Sequence, residues 1–199
     1  MTSRRTVLIR AGLCLALAGL AASAAFAQAP AAKALAPVLV TSCGQSPGPL
    51  KVTVFLKQLG VEFDYKPEAT AQDIASKKFK SLIIVTGASL KGMGAAGISI
   101  KEELTRTAAL IAEAKKLGVM IIGSHVEGME RRAQGAAPGD NSDELSIDAV
   151  CPKSQLMIVR KDGDEDGRFT TISKATKIPL ILFEKNLELK DVLKNVYGK

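Results

Sequence analysis

The chain has 199 residues, 47% of them apolar, with 27 Lys+Arg against 20 Asp+Glu and a formal charge of +7. Aromatic residues make up only 4%, and no basic run interleaves with them, which excludes the usual nucleic-acid-binding surface. The apolar content is enough for a packed core, but beyond residue 27 it is too dispersed for a membrane span.

The first segment reads as an export signal. Basic residues including Arg4 and Arg5 precede an Ala/Leu/Gly run from Ala11 to about Ala25, and the small residues Ala25 and Ala27 mark a cleavage site before Gln28. Ser-Arg-Arg ahead of the apolar run is the twin-arginine type. The run falls short of the roughly 20 apolar residues that a span needs. Cys14 lies inside the signal rather than after it, which argues against a lipoprotein anchor. Losing Arg4, Arg5 and Arg10 with the signal takes the formal charge from +7 to +4. The sequence therefore predicts a signal over 1–27, a disordered Ala/Pro-rich tether over 28–36, and one exported, periplasmic or extracytoplasmic domain over 37–199.

Within that domain strands and helices alternate. "PVLVTS" is an apolar run, "PLKVTVFLKQLG" has helical spacing, and "VEFDY" alternates like a strand. "TAQDIASKKF" is a short amphipathic helix opened by Thr70 and Asp73, and "SLIIVTG" is a buried strand. "SIKEELTRTAALIAEAKKLG" carries the S-x-x-E start at Ser99 and Glu102, an apolar stripe at Leu104, Ala108, Ile111 and Ala112, and a stop at Gly118. "VMIIGS", "QLMIVR" and "IPLILFEK" are further strands, separated and followed by the helical stretches "SDELSIDAV", "GRFTTISKATK" and "LELKDVLKNVY". Buried strands joined by helices predict an α/β fold: a single open, doubly wound, mainly parallel sheet of about six strands with helices on both faces, Rossmann-like.

In such sheets ligands bind outside the carboxyl ends of the strands. Four polar segments follow strands and should share one rim: Thr41–Gly48, Gly87–Gly97, Ser124–Arg132 and Lys161–Gly167. Cys43, after the first strand, and Cys151, before the fifth, should lie at opposite ends of the sheet, too far apart for a disulfide.

The segment "SLKGMGAAGIS" holds G-x-G-x-x-G at Gly92, Gly94 and Gly97. A dinucleotide loop would need it directly after the first strand, with an acidic residue ending the next. It follows the third strand, and the next ends in Ser124-His125, so NAD(P) is not expected. An anion cradle requires less: Ser89, Lys91, and the backbone N–H groups of Gly92, Gly94, Ala95, Ala96 and Gly97 ahead of a helix start. Ser42, Cys43, Gly44, Gln45 and Ser46 form a second polar hand before a helix that Pro49 can open. Cys43 at a helix start is a candidate nucleophile. His125, the only histidine, carries any imidazole chemistry there is. Arg131 and Arg132 offer planar forks for carboxylate or phosphate, with Ser142 and Asp143 further on. Segment 133–141 reads as a lid or an insertion. Asp162, Asp164 and Asp166 sit at the first, third and fifth positions of a calcium-type loop, but its twelfth is Ser173 where a glutamate is expected. A calcium site and an acidic loop pairing with the rim's cations are thus both open.

Together "TSCGQSPG", "GASLKGMGAAGIS" with its "EEL" helix, the H-x-x-G run followed by Arg, and "KDGDEDGRF" resemble a family of small exported bacterial proteins catalogued only as a domain of unknown function. The resemblance spans nearly all of the chain after the signal and implies an exported globular domain. It supplies no activity or catalytic residue, and Ala133–Asn141 is longer than it implies.

The sequence thus favours an exported binding protein for a small anion, carboxylate or phosphate, serving a transport or sensing system, with no cofactor required. The alternatives are a hydrolase or transferase using Cys43 or His125, and a metal- or redox-linked accessory protein.

Overall fold

A computed structural model of the protein describes residues 33–133 and 141–199. The signal over 1–27, most of the tether and residues 134–140 of the suggested lid lie outside them.

Six strands form one sheet: β1 (Val38–Cys43), β2 (Phe63–Tyr65), β3 (Ser81–Thr86), β4 (Met120–His125), β5 (Leu156–Arg160) and β6 (Leu180–Phe183). Their order is β2-β1-β3-β4-β5-β6, and every pairing is parallel. The central strands are buried on both faces, which is why Val38–Val40 of β1 and Leu82–Val85 of β3 are apolar runs rather than alternating ones.

Among the described residues seven α-helices flank them: α1 (Gly48–Gln58), α2 (Ala71–Ser76), α3 (Leu90–Ala96), α4 (Ile100–Lys116), α5 (Ser142–Val150), α6 (Arg168–Thr176) and, after β6, α7 (Glu188–Tyr197). Alternation along each strand sorts the core. Val38, Val40, Val85 and Ile122 join Val52, Leu56, Leu189 and Leu193 of α1 and α7 on one face. Leu39, Ile84 and Ile121 join Ile74, Leu110 and Ile111 of α2 and α4 on the other, where Phe169 of α6 packs with Met157 and Val159. The chain winds outward from β1 to β2, then returns to lay β3 on β1's other side. The direction of winding therefore switches between β1 and β3, the position where open α/β sheets bind ligands.

Three expectations need correction. The glycine-rich segment is not a loop: Leu90–Ala96 is a helix capped by Ser89, whose hydroxyl accepts the Gly92 N–H, and it ends at Gly97 in the left-handed region. The buried face of α4 is also rotated from the expected stripe. It consists of Glu103, Thr107, Leu110, Ile111 and Ala114, while Ala108 and Ala112 face out.

Cys43 and Cys151 are free and buried. Cys151 does not lie at the far end of the sheet, however. It tucks over the middle of β4, where a Cβ on Gly123 would meet its Cα at 3.5 Å.

Candidate functional site

The segments after β1 and β3 meet across the switch point. The Ser89 N–H donates to the Gly44 carbonyl at 2.7 Å, and Gln45 pairs with Ala88 in an antiparallel bridge. The approach is so close that a Cβ on Gly44 would come within 2.5 Å of the Gly87 carbonyl oxygen, and Gly44 adopts φ +109°. Only glycine serves there.

The N–H groups of these loops point at the protein's own oxygens. Gly44 N–H donates to Glu103 Oε1 at 2.8 Å, Gly48 N–H at the start of α1 to Glu127 Oε2 at 3.1 Å, and Ala88 N–H to Asp143 Oδ1 at 2.5 Å. Gly87 N–H donates to Ser146 Oγ at 2.9 Å. Three carboxylates, from α4, α5 and the segment after β4, thus converge on the crevice. An exposed loop N–H and a helix start attract negative charge, and here side chains supply it.

The three carboxylates are anchored differently. Glu103 is fully buried and forked to Arg106 through two 2.9 Å contacts, while Arg106 also donates to the carbonyls of Ser42 and Ala69. Glu127 is also buried and takes Arg131 Nε at 3.3 Å. Asp143, in the first turn of α5, is half-buried and makes no ion pair among the described residues. Burial holds its carboxyl above the ordinary Asp range, against the lowering effects of the Ala88 N–H and of Arg131 nearby.

The remaining expected residues fall into distinct places. Gln45 Nε2 donates to Glu103 and to the Pro67 carbonyl, and the Ser46 hydroxyl accepts the Gly48 N–H at 3.3 Å. Ser42 is buried in β1 with a hydroxyl that has no partner in the structure. Lys91 is exposed on the first turn of α3. Arg131 reaches from beyond β4 to the Ala88 carbonyl at 3.2 Å. Ser142 begins α5, whose cap is Asn141.

Several expected roles do not survive this geometry. The N–H groups of residues 92–96 belong to a helix and are not a cradle. Gly92 is small for a packing reason, since a Cβ there would strike the Gln45 carbonyl oxygen. Cys43 is fully buried as the last residue of β1, and burial pushes its thiol up to about 12, the opposite of an activated nucleophile. His125 is fully buried with both ring nitrogens engaged: Nε2 at 3.0 Å from the Gly128 carbonyl and Nδ1 at 3.2 Å from Thr86 Oγ1. A carbonyl can only accept, so Nε2 carries the proton, and Nδ1 shares the Thr86 hydroxyl's proton with the Ser124 carbonyl, also 3.2 Å from Oγ1. The Phe169 ring lies 5.2 Å away, and burial lowers the imidazole's pKa. It is a neutral packed histidine with no edge turned toward a substrate.

Arg132 is no ligand fork either. Its side chain is 1% exposed and is shared between Glu144 at 2.8 Å and Asp166 at 2.5 Å. It also donates to the Gly163 carbonyl and lies over the Phe169 ring at 5.6 Å. Burial opposes its charge, but the two carboxylates outweigh burial and hold its pKa above the ordinary value. The calcium reading fails on the same loop. Asp162 is forked to Arg160, Asp164 caps α6 through the N–H groups of Phe169 and Thr170, and Asp166 holds Arg132. Three acids bound to three different partners do not converge, and among the described residues no group of three His, Cys, Asp or Glu side chains is placed to hold a metal.

The sequence reading missed Glu103, Arg106, Glu127, Glu144 and Ser146. The one available signal was the Glu-x-x-Arg spacing at 103 and 106, an i,i+3 pair on the helix that opens at the rim.

The description of a domain of unknown function, DUF6305, matches residues 35–197. The chain belongs to that family. No curated protein matches it. Among solved structures, a psychrotrophic esterase from Pseudoalteromonas sp. is 12% identical at a TM-score of 0.35, covering 73% of this chain and 76% of its own. A GDSL-like lipase from Bacteroides thetaiotaomicron is 16% identical at 0.34, covering 73% and 66%. An aminotransferase from Mycobacterium tuberculosis is 16% identical at 0.38, covering 83% and 43%. Likeness at this level decides nothing about chemistry. Among the described residues no helix is long and apolar enough to cross a membrane.

Proposed function

We propose that the protein is an exported binding protein for a small anion, a carboxylate or a phosphate, accessory to a transport or sensing system. The supporting observation is the convergence of carboxylate oxygens on Gly44, Gly48 and Ala88 N–H groups at the switch point. That rim has the polarity an anion needs, at the position where this fold class binds ligands. The ligand's oxygens take the Ala88 N–H, and Arg131 and Lys91 neutralise its charge. The N–H groups of 92–96 and the Arg132 fork are no longer part of this reading. The hydrolase or transferase alternative loses both of its candidate groups, because Cys43 and His125 are sealed in the core.

Thermal unfolding against a library of carboxylates and phosphates tests this. A ligand at 100 times its dissociation constant stabilises by about 2.7 kcal/mol, a shift of several degrees for a domain this size. Lys91→Ala should weaken that shift without altering the ligand-free midpoint, since Lys91 is exposed. No shift with any anion would sink the proposal.

A further inference from the structure

Of the three carboxylates on the rim, two are fixtures. Glu103 is buried against Arg106 and Glu127 against Arg131, so each is a buried carboxylate held in place by its own ion pair. Asp143 has no such lock. Its carboxylate is held to the rim by the Ala88 N–H at 2.5 Å, and it sits half-buried on the first turn of α5. Arg131 faces it from beyond β4, holding the Ala88 carbonyl on the same peptide segment.

We infer that Asp143 is a built-in occupant of the anion site, a side chain that covers the Ala88 N–H and is displaced when an external anion binds. This inference rests on the anion-binding reading above and adds regulation to it. A ligand must compete with the tethered carboxylate, so its apparent affinity is reduced by the fraction of time Asp143 is away. The exchange is balanced in chemistry: one carboxylate–amide hydrogen bond is replaced by one anion–amide hydrogen bond, and Asp143 regains hydration. The device sets a threshold concentration below which the site stays closed on itself.

Calorimetric titration with sodium sulfate at neutral pH tests this, because sulfate does not titrate there. Asp143→Ala should bind sulfate about tenfold or more tighter than the wild type. Asp143→Asn keeps an oxygen for the amide but loses its charge, so it should fall between them and provides the answer if the alanine variant does not fold. Asp148→Ala, on the same helix, controls for net charge and should bind like the wild type. The Ala88 amide resonance should move on sulfate addition in every binding variant. Equal affinities in wild type and both Asp143 variants, or tightening by Asp148→Ala to the same degree, would overturn the displaced occupant and leave anion binding intact. No binding in any variant, or binding without movement at Ala88, would overturn both.

Discussion

The carboxylate of Glu103 lies 2.8 Å from the amide nitrogen of Gly44, fifty-nine positions away in the chain, and ties α4 to the rim after β1. Arg106 makes that burial tolerable by forking the same carboxylate. Removing one partner of a buried pair leaves an uncompensated charge, at a cost of about 3–5 kcal/mol. Arg106→Ala should therefore destabilise by about that much in urea denaturation, and a Glu103→Ala, Arg106→Ala double variant by less than the sum of the single changes. A loss under about 1 kcal/mol, the size expected of an exposed pair, would mean that the rim is not held this way.

Gly92 and Gly94 share the apparent nucleotide motif but should behave in opposite ways. Gly94 has nothing within 4 Å of its would-be Cβ and sits inside α3. Gly94→Ala should thus stabilise by about 0.5–1 kcal/mol, the helix-interior difference. Gly92→Ala drives a methyl into the Gln45 carbonyl and should cost about 1–3 kcal/mol. Equal effects of the two substitutions on the denaturation midpoint would argue for a loop rather than a packed helix.

Thiol labelling separates the core reading of Cys43 and Cys151 from a reactive one. Both are buried, and burial raises both thiols, Cys43 to about 12. An aromatic disulfide reagent at pH 7 should leave them unmodified in the folded protein and react fully in denaturant. Rapid modification of Cys43 under native conditions would restore it as a candidate nucleophile.

His125 sets a pH dependence of stability. Burial holds its folded-state pKa below the ordinary 6.5, so the unfolded chain binds the proton more readily. Between the two values stability rises with pH, and it is lost as pH falls below about 6.5. The thermal midpoint should drop over that window, and His125→Gln should flatten this part of the profile. A wild-type midpoint that rises on acidification through the same window would contradict the neutral, packed imidazole.

Most of the fold was legible because strand and helix periodicities are strong: α5 was placed from "SDELSIDAV" alone, and the S-x-x-E at Ser99 and Glu102 is a capping box in the structure. Two parts were not legible, and for one reason. Gly92 reads as a loop residue, although its smallness serves contact with Gln45; Glu103 lies outside the expected apolar stripe, yet it is buried and bonded to a loop N–H and Arg106. Both depend on partners distant in the chain, which periodicity does not encode. The adjacent arginines make the same point. Arg131 stays partly exposed on the rim, while Arg132 turns inward to Glu144 and Asp166, and nothing local distinguishes them.

The central claim is that a small anion is held at the carboxyl rim between β1 and β3. Its most direct test is amide chemical-shift mapping during titration with inorganic phosphate, repeated with a dicarboxylate. The expected result is saturable movement centred on Gly87, Ala88 and Ser89, weakened by Lys91→Ala. Saturable shifts centred elsewhere, or none at millimolar anion, would contradict it.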